Sequence, residues 1–252
     1  MEVPFIQLHN VWKSFEEQVV LAGISVDINR GETLGILGRS GTGKSVTLML
    51  ISGLLACDQG EVLIDGENIV GKTEEELLSI RKRISYVFQT GALFDSLTIY
   101  ENIAYPLLDS RKFDDGYINK KVNELAQLLN VHEHLDQYPS EITLGTKKRV
   151  AIARALATEP EALLFDEPTT GLDALMGKRI SKIIRNLNKN KNLTSIVVTH
   201  DINCIEIVSD KVAMLDGGHI RFLGTFEQLR ASSDEFIQEF LYGKKAFTTE
   251  KA

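Results

Sequence analysis

The sequence predicts an α/β fold with a mostly parallel sheet, a small antiparallel β subdomain at the N-terminus and a helical subdomain inserted into the core. Three observations lead to this prediction. Short apolar runs typical of buried strands alternate with helical patterns along most of the chain. Residues 5–28 are rich in strand formers, with a turn near residues 15–18. Strand signals then disappear over about residues 93–158, where helical spacing dominates.

Each element follows from its local pattern of apolar residues and turn formers. The predicted strands are residues 5–11, 19–28, 33–37, 61–64, 84–88, 162–165, 194–198, 211–215 and 219–222. The predicted helices are residues 44–55, 74–83, 122–129, 147–157, 178–187, 202–208 and 226–241. The folded domain is expected to span residues 1–242, and residues 243–252 are expected to form a loose polar tail.

Composition narrows the class of protein. The chain has 252 residues, of which 43% are hydrophobic and 25% charged, as in an ordinary globular domain. Its net charge of −7 argues against nucleic acid as a partner. Cys57 and Cys204 are expected to be small buried residues in a reducing cytoplasm. Neither a signal peptide nor a membrane-spanning run is visible, so a membrane role is expected to act through a partner.

Residues 38–45, called the phosphate loop below, match the pattern GxxxxGK[ST] between a predicted buried strand and a predicted helix. Glycines let the backbone turn its N–H groups toward phosphate oxygens, and the helix adds its positive N-terminal end. Lys44 is expected to reach the β- and γ-phosphates, and the Ser45 hydroxyl to bind Mg²⁺. The residues expected to contact ATP here are Gly38, Arg39, Ser40, Gly41, Thr42, Gly43, Lys44, Ser45 and Val46.

Polar side chains also stand where three other predicted strands end. Asp166 and Glu167 end one strand, Gln89 follows a second, and His200 follows a third. Ligand sites of α/β folds lie at the carboxyl ends of strands. Asp166 is therefore expected to hold Mg²⁺, and Glu167 to act as general base on an attacking water.

These motifs, in this order, resemble the nucleotide-binding subunit of ABC transporters over the chain up to about Tyr242. The resemblance implies a RecA-like P-loop NTPase core that binds ATP and Mg²⁺ and hydrolyses ATP. It implies that Phe15 stacks on adenine, and that Asp173, in the loop at residues 171–173, is among the residues that bind the nucleotide. The catalytic residues that it implies are Lys44, Gln89, Glu167 and His200, and the metal ligands are Ser45, Gln89 and Asp166.

The same resemblance implies a head-to-tail dimer of two identical chains with two ATP molecules between them. Each site would combine one phosphate loop with the partner's signature segment. That segment reads Leu-Ser-Gly-Gly-Gln in the family and Ile-Thr-Leu-Gly-Thr at residues 142–146 here. Thr143 and Gly145 keep the hydroxyl and the second glycine, and are expected to contact ATP. Leu144 replaces a glycine and either hinders close backbone approach, which would slow turnover, or points away with little effect.

Residues 89–107 resemble the corresponding segment of the Mla/Mce-type ATPases, which drive lipid transport between bacterial membranes. The similarity is carried by Gly-Ala-Leu-Phe at residues 91–94, and by Glu-Asn at residues 101–102 followed by Tyr-Pro-Leu at residues 105–107. It implies an integral membrane permease docked on residues 89–107, accessory and lipid-binding subunits, and a place on the cytoplasmic face of the inner membrane. The alternatives are the ATPase of an amino-acid type importer and a non-transport regulatory ATPase with weak hydrolysis.

A basic run, Lys-Lys-Arg at residues 147–149, follows the signature segment. Such a run can bind nucleic acid. In an acidic protein and at the start of a predicted helix, it is expected to face the subunit interface or solvent instead.

Overall fold

A computed structural model describes residues 3–243, so residues 244–252 of the predicted tail lie outside the described residues. The strands are β1 (Ile6–Phe15), β2 (Gln18–Ile28), β3 (Thr33–Leu37), β4 (Gln59–Ile64), β5 (Glu67–Asn68), β6 (Ile84–Val87), β7 (Ala162–Asp166), β8 (Thr194–Thr199), β9 (Lys211–Asp216) and β10 (His219–Gly224). The helices are α1 (Lys44–Ile51), α2 (Glu74–Arg83), α3 (Ile99–Ser110), α4 (Asp115–Leu128), α5 (Leu144–Leu156), α6 (Ala174–Lys191), α7 (Ile202–Val208), α8 (Phe226–Arg230) and α9 (Glu235–Tyr242).

The strands form two sheets. The larger has the order β10-β9-β3-β8-β7-β6, and its neighbours are parallel except for the β9–β10 hairpin. The smaller has the order β2-β1-β4-β5 and is antiparallel throughout. Both features confirm the predicted α/β class with an antiparallel β subdomain.

Two hydrophobic clusters cover the two faces of the six-stranded sheet. Successive residues of a strand point to opposite faces, so Leu164 packs in the cluster that contains α1 and the antiparallel sheet. Phe165, the next residue, packs in the cluster that contains α3 to α7. Burial on both faces explains why β7 and β8 are apolar runs rather than alternating ones.

The inserted subdomain lies between β6 and β7 and consists of α3, α4 and α5, with two short 3₁₀ helices at His132–His134 and Pro139–Glu141. A fully buried amide, Asn102 on α3, fixes the segment that precedes the helix. Its Nδ2 donates to the carbonyls of Phe94, Leu97 and Thr98 at 3.0–3.1 Å, and its Oδ1 accepts from the Phe94 N–H at 2.8 Å. Every polar atom of this buried side chain is therefore used to order residues 94–98.

Several predicted boundaries were wrong. Helix α1 ends at Ile51 rather than at residue 55, because Gly53 turns the chain with φ +66°. The helix predicted over residues 226–241 is two helices, since Asp234 caps α9 by accepting from the N–H groups of Phe236 and Ile237. Helix α6 starts earlier than predicted because Asp173 caps it in the same way. The short strand β5 was not predicted.

None of the helices within residues 3–243 combines the length and apolar character needed to cross a bilayer. The division of the chain at residue 242 stays a prediction.

Candidate active site

The phosphate loop joins β3 to α1 and is shaped by glycines that no other residue could replace without a shift. Gly43 has φ +94°, and a Cβ there would lie 2.6 Å from Leu21 Cδ2 and 3.0 Å from the Val20 carbonyl oxygen. A Cβ on Gly38 would lie 2.8 Å from the Leu215 carbonyl oxygen. Strand β2 of the small sheet thus packs directly against the loop. The tight turn of the loop is the kind of backbone that binds phosphates.

Lys44 is buried inside this curl. Its Nζ donates to the carbonyl oxygens of Gly38 at 2.9 Å and Arg39 at 3.0 Å, and lies 3.8 Å from Glu167 Oε1. Burial lowers the pKa of the Lys44 ammonium, whereas the carboxylates of Glu167 and Asp166 oppose that shift. The two carbonyl oxygens therefore hold the Lys44 cation inside the loop, where a phosphate could pair with it.

Asp166 ends β7 beside the start of α1. Its Oδ1 accepts from the Ser45 hydroxyl at 2.9 Å, and its Oδ2 accepts from the Tyr86 hydroxyl at 2.9 Å. A serine oxygen next to a carboxylate is a pair of hard oxygen donors of the kind that Mg²⁺ prefers. Residues 3–243 contain no group of three or more His, Cys, Asp or Glu that could hold a metal ion. The pair fits a Mg²⁺ that takes its remaining ligands from phosphate and water.

Glu167 follows Asp166 with a left-handed backbone, φ +46°, which turns its side chain back toward the loop. Its carboxylate accepts from the hydroxyls of Thr199 at 2.9 Å and Thr170 at 3.0 Å, and lies 3.0 Å from His200 Nδ1. Burial alone would raise the pKa of the Glu167 carboxyl, but the bonds from His200, Thr199 and Thr170 together hold it below its ordinary value. The group is therefore an ionised, oriented carboxylate.

The structure thus brings five predicted residues into direct contact at the carboxyl ends of β3, β7 and β8. These residues are Lys44, Ser45, Asp166, Glu167 and His200. Gln89, just beyond β6, is exposed at the same edge of the sheet.

The other residues near the phosphate loop that are predicted to contact ATP lie at the edge of this site. Arg39, Ser40 and Gly41 are exposed, whereas Thr42 and Val46 are half-buried. The Arg39 guanidinium lies 3.4 Å from Glu239 Oε1 and 5.0 Å from the centre of the Phe236 ring, which ties this edge to α9. Phe15 ends β1 and is 46% exposed, with Lys13 Nζ 5.6 Å from the centre of its ring.

A second group of predicted residues surrounds the start of α5. Thr143 caps this helix, and its Oγ1 accepts from the Thr146 N–H at 3.3 Å. Gly145 follows in the first turn, and Asp173 caps the neighbouring helix α6. Leu144 leans over the chain's own loop, so that a Cβ on Gly171 would lie 3.0 Å from Leu144 Cδ2. The Leu144 side chain is nevertheless 40% exposed.

Lys148 joins the two groups, and the prediction for residues 147–149 was wrong at this position. Its side chain is only 2% exposed, and its Nζ donates to the main-chain carbonyls of Gln89 and Glu167, the latter at 3.2 Å. Arg149 is also used inside the chain, where it donates to the Leu129 carbonyl at 3.1 Å. Helical spacing places Lys148 one turn before the buried Ile152, but a long basic side chain at such a position can also extend to solvent.

Comparison with known proteins identifies the family to which these features are similar. The family model described as ABC transporter matches residues 21–170. The spermidine/putrescine import ATP-binding protein PotA of Thermotoga maritima is 40% identical over 94% of this chain, which spans 63% of that relative's length. The probable ribonucleotide transport ATP-binding protein mkl of Mycobacterium leprae is 36% identical over 95% of this chain and 69% of its own length.

Solved structures give the same result. An ATP-binding cassette, solved as a dimer in a post-hydrolysis state with ADP and Pi, has a TM-score of 0.80 and 32% identity. It covers 88% of this chain and 98% of its own. The structure of cbiO1 from Clostridium perfringens, part of the transporter complex cbiONQ, has a TM-score of 0.85 and 28% identity over 96% of both chains.

Proposed function

Given that the chain belongs to the ABC transporter family as an ATP-binding protein, we propose that it energises lipid transport of the Mla/Mce type between bacterial membranes. The cassette binds ATP with Mg²⁺ and hydrolyses ATP. The observation that carries the ATPase part is the contact cluster of Lys44, Ser45, Asp166 and Glu167 described above. The observation that supports the lipid part is the segment 91–107.

Within the site, each residue has a role that suits its chemistry. Ser45 and Asp166 hold Mg²⁺, which neutralises charge on the phosphates when bound. Glu167, kept ionised by its three partners, accepts the proton of the attacking water, and His200 faces the γ-phosphate beside it. Lys44 supplies a fixed positive charge for the β- and γ-phosphates. Phe15 stacks on adenine, and Gln89 orients the water.

The site is completed by a second copy of the chain. Thr143 and Gly145 present the N-terminus of α5 to the partner's γ-phosphate, where helix N–H groups favour negative charge. Asp173 lies beside them at the surface. A related cassette solved as a dimer with ADP and Pi supports this arrangement.

Replacing Leu144 with glycine is expected to speed ATP turnover about threefold, because the leucine side chain stands at the surface where the partner's nucleotide must approach. Initial rates of phosphate release at several protein concentrations measure this effect. Leu144→Ala should fall between wild type and the glycine variant. Leu175→Ala, which removes an exposed leucine of α6, should leave the rate unchanged. A glycine variant no faster than wild type would mean that the leucine does not limit closure.

A groove beside β6 and α3 is suited to the permease. Its volume is about 770 Å³, and it is bordered by large apolar side chains that are each at least 38% exposed. These side chains are Leu54, Leu78, Phe88, Phe94, Tyr105 and Phe113. An amphipathic helical segment of an integral membrane protein would bury this apolar surface. Docking there would hold the chain on the cytoplasmic face of the inner membrane.

The identity of the transported substrate depends on the residues that border this groove. Ala92 and Phe94 of the run at 91–94 and Tyr105 and Pro106 of the run at 105–107 border the groove, where they could distinguish a lipid permease from others. The main alternative is the ATPase of an amino-acid type importer. Similarity to the methionine import ATP-binding protein MetN of Clostridium tetani supports this alternative. That protein is 39% identical over 89% of this chain and 70% of its own length. A regulatory, weakly hydrolysing ATPase is the remaining alternative, suggested by the altered signature.

Affinity purification from detergent-solubilised membranes tests the proposal. We expect the chain to recover a permease together with a lipid-binding subunit and bound phospholipid. Phe94→Asp, which places a charge in the groove, should lose the permease, whereas Leu128→Asp on the exposed side of α4 should retain it. Recovery of an amino-acid permease would favour the alternative importer, and recovery of soluble proteins alone would contradict a transport role.

A further inference from the structure

Tyr86 occupies a place between the groove and the nucleotide site. Its hydroxyl donates to Asp166 Oδ2 at 2.9 Å. Its ring stacks on that of Phe88, with a centre-to-centre distance of 4.3 Å and an angle of 27° between the planes. Both rings border the groove, and Phe88 is 38% exposed there. One side chain therefore touches both the carboxylate of the metal site and the surface offered to the permease.

The position of Tyr86 in the sheet explains this contact. Strand β6 is the last strand of the six-stranded sheet and pairs in parallel with β7, so that Tyr86 lies opposite Leu164. Tyr86 packs against the same cluster as Leu164, on the face of the sheet that carries α1. Asp166, two residues after Leu164, points to that face as well, which is the face of Ser45.

The two oxygens of Asp166 thus have different partners. Ser45 bonds Oδ1, and Tyr86 bonds Oδ2. In this bond the Tyr86 hydroxyl is the donor and the Asp166 carboxylate is the acceptor. A hydrogen bond on one carboxylate oxygen fixes the side-chain torsion and thereby directs the other oxygen.

We propose that Tyr86 is a positioning residue for Asp166 and that it links occupancy of the groove to Mg²⁺ binding. This inference rests on the proposed function, in which Asp166 holds Mg²⁺ and the groove receives the permease. A segment docked against Phe88 restricts the stacked Tyr86 ring and so favours one orientation of Asp166. Linkage is reciprocal, so Mg²⁺ bound at Asp166 also restricts the rings in the groove.

Tyr86→Phe tests the positioning role because it removes the hydroxyl and keeps the ring stacked. We expect the Mg²⁺ affinity of the ADP-bound protein to fall about tenfold. This is the lower end of the range seen when a residue that hydrogen-bonds a metal ligand is removed. Nucleotide affinity in EDTA should stay as in wild type. Calorimetric titration of Mg²⁺ measures the first, and titration of ADP the second. Tyr242→Phe, which alters an exposed tyrosine at the end of α9, serves as the control.

The link to the groove needs a second measurement. Phe88→Trp combined with Trp12→Phe leaves a single tryptophan in the groove, since Trp12 is the only native one. We expect Mg²⁺ to change its fluorescence in the ADP-bound protein, and Tyr86→Phe added to this background to abolish the change. An unchanged Mg²⁺ affinity in Tyr86→Phe would overturn the positioning role, and a Mg²⁺-independent signal in the groove would overturn the link.

Failure of the inference differs from failure of the proposed function. If wild type binds ADP with no dependence on Mg²⁺, the assignment of Asp166 to the metal is wrong and the proposed function fails with it. If wild type requires Mg²⁺ and Tyr86→Phe matches it at every Mg²⁺ concentration, Tyr86 alone has been misassigned.

Discussion

Replacing Glu167 with glutamine is expected to abolish ATP turnover while leaving ATP binding intact. The amide has nearly the shape of the carboxylate and can still accept the hydrogen bonds from Thr199 and Thr170. It cannot take a proton from water, so hydrolysis should fall by about 10²–10⁴-fold, the range for loss of a general base. Phosphate release measures turnover, and equilibrium binding of an ATP analogue measures affinity.

The control for this variant is Glu133→Gln, at a side chain that is 81% exposed in the inserted subdomain. It should match wild type in both assays. Because a non-hydrolysing site keeps its ATP, Glu167→Gln should also populate the dimer when ATP and Mg²⁺ are present, which light scattering would show. Turnover close to that of wild type would remove Glu167 from the role of base.

Replacing Lys148 with methionine is expected to lower both turnover and stability. Methionine fills a similar volume but donates no hydrogen bond, so the carbonyls of Gln89 and Glu167 lose their shared partner. Relief from burying a charge offsets part of this loss. A net decrease of about 1–3 kcal/mol in the free energy of unfolding is the cost expected for buried carbonyls left without a donor. Turnover should fall by about 10²-fold, because Glu167 and Gln89 lose their common anchor.

Chemical denaturation and phosphate release measure the two effects of the Lys148 change. Lys147→Met is a matched control, since this neighbour is half-buried and lies on another side of α5. Lys148→Arg keeps a donor and should recover part of the turnover. If Lys148→Met destabilises the protein while turnover per folded molecule is unchanged, Lys148 serves packing and not the position of Glu167.

The fold and the centre of the site were predictable because the signals are local. Thr33–Leu37 has the pattern of a buried strand, and within the phosphate loop Gly41 and Gly43 adopt the positive φ angles, +81° and +94°, that favour glycine. Parallel pairing alone then places Asp166, Glu167 and His200 at one edge of the sheet, because the strands they follow end there. The roles assigned to these residues stay predictions, although their contacts agree with those roles.

The missed features depend on contacts between distant parts of the chain. Lys148 is separated by 59 positions from Gln89, and Tyr86 by 80 from Asp166. A lysine or a tyrosine in an amphipathic segment is as compatible with solvent as with a buried partner, so spacing alone could not decide. Substrate identity is less predictable still, because in the proposed function it depends on how residues 91–107 fit a partner rather than on any chemistry within the chain.

Lys148 and Arg154 together have a mechanical consequence. Lys148 holds the Gln89 carbonyl, and Arg154 on the same helix donates to the carbonyls of Gly91 and Ala92 at 2.8–2.9 Å. Asn102 fixes residues 94–98 to α3 in turn. The stretch from Gln89 to residue 98 is thus fastened to the inserted helices, and the second Lys148 bond, to the Glu167 carbonyl, ties these helices to the end of β7. If those helices swivel as a rigid body, Gln89 travels with them into or out of reach of the nucleotide, and the bond between Lys148 and the Glu167 carbonyl must break or carry Glu167 along.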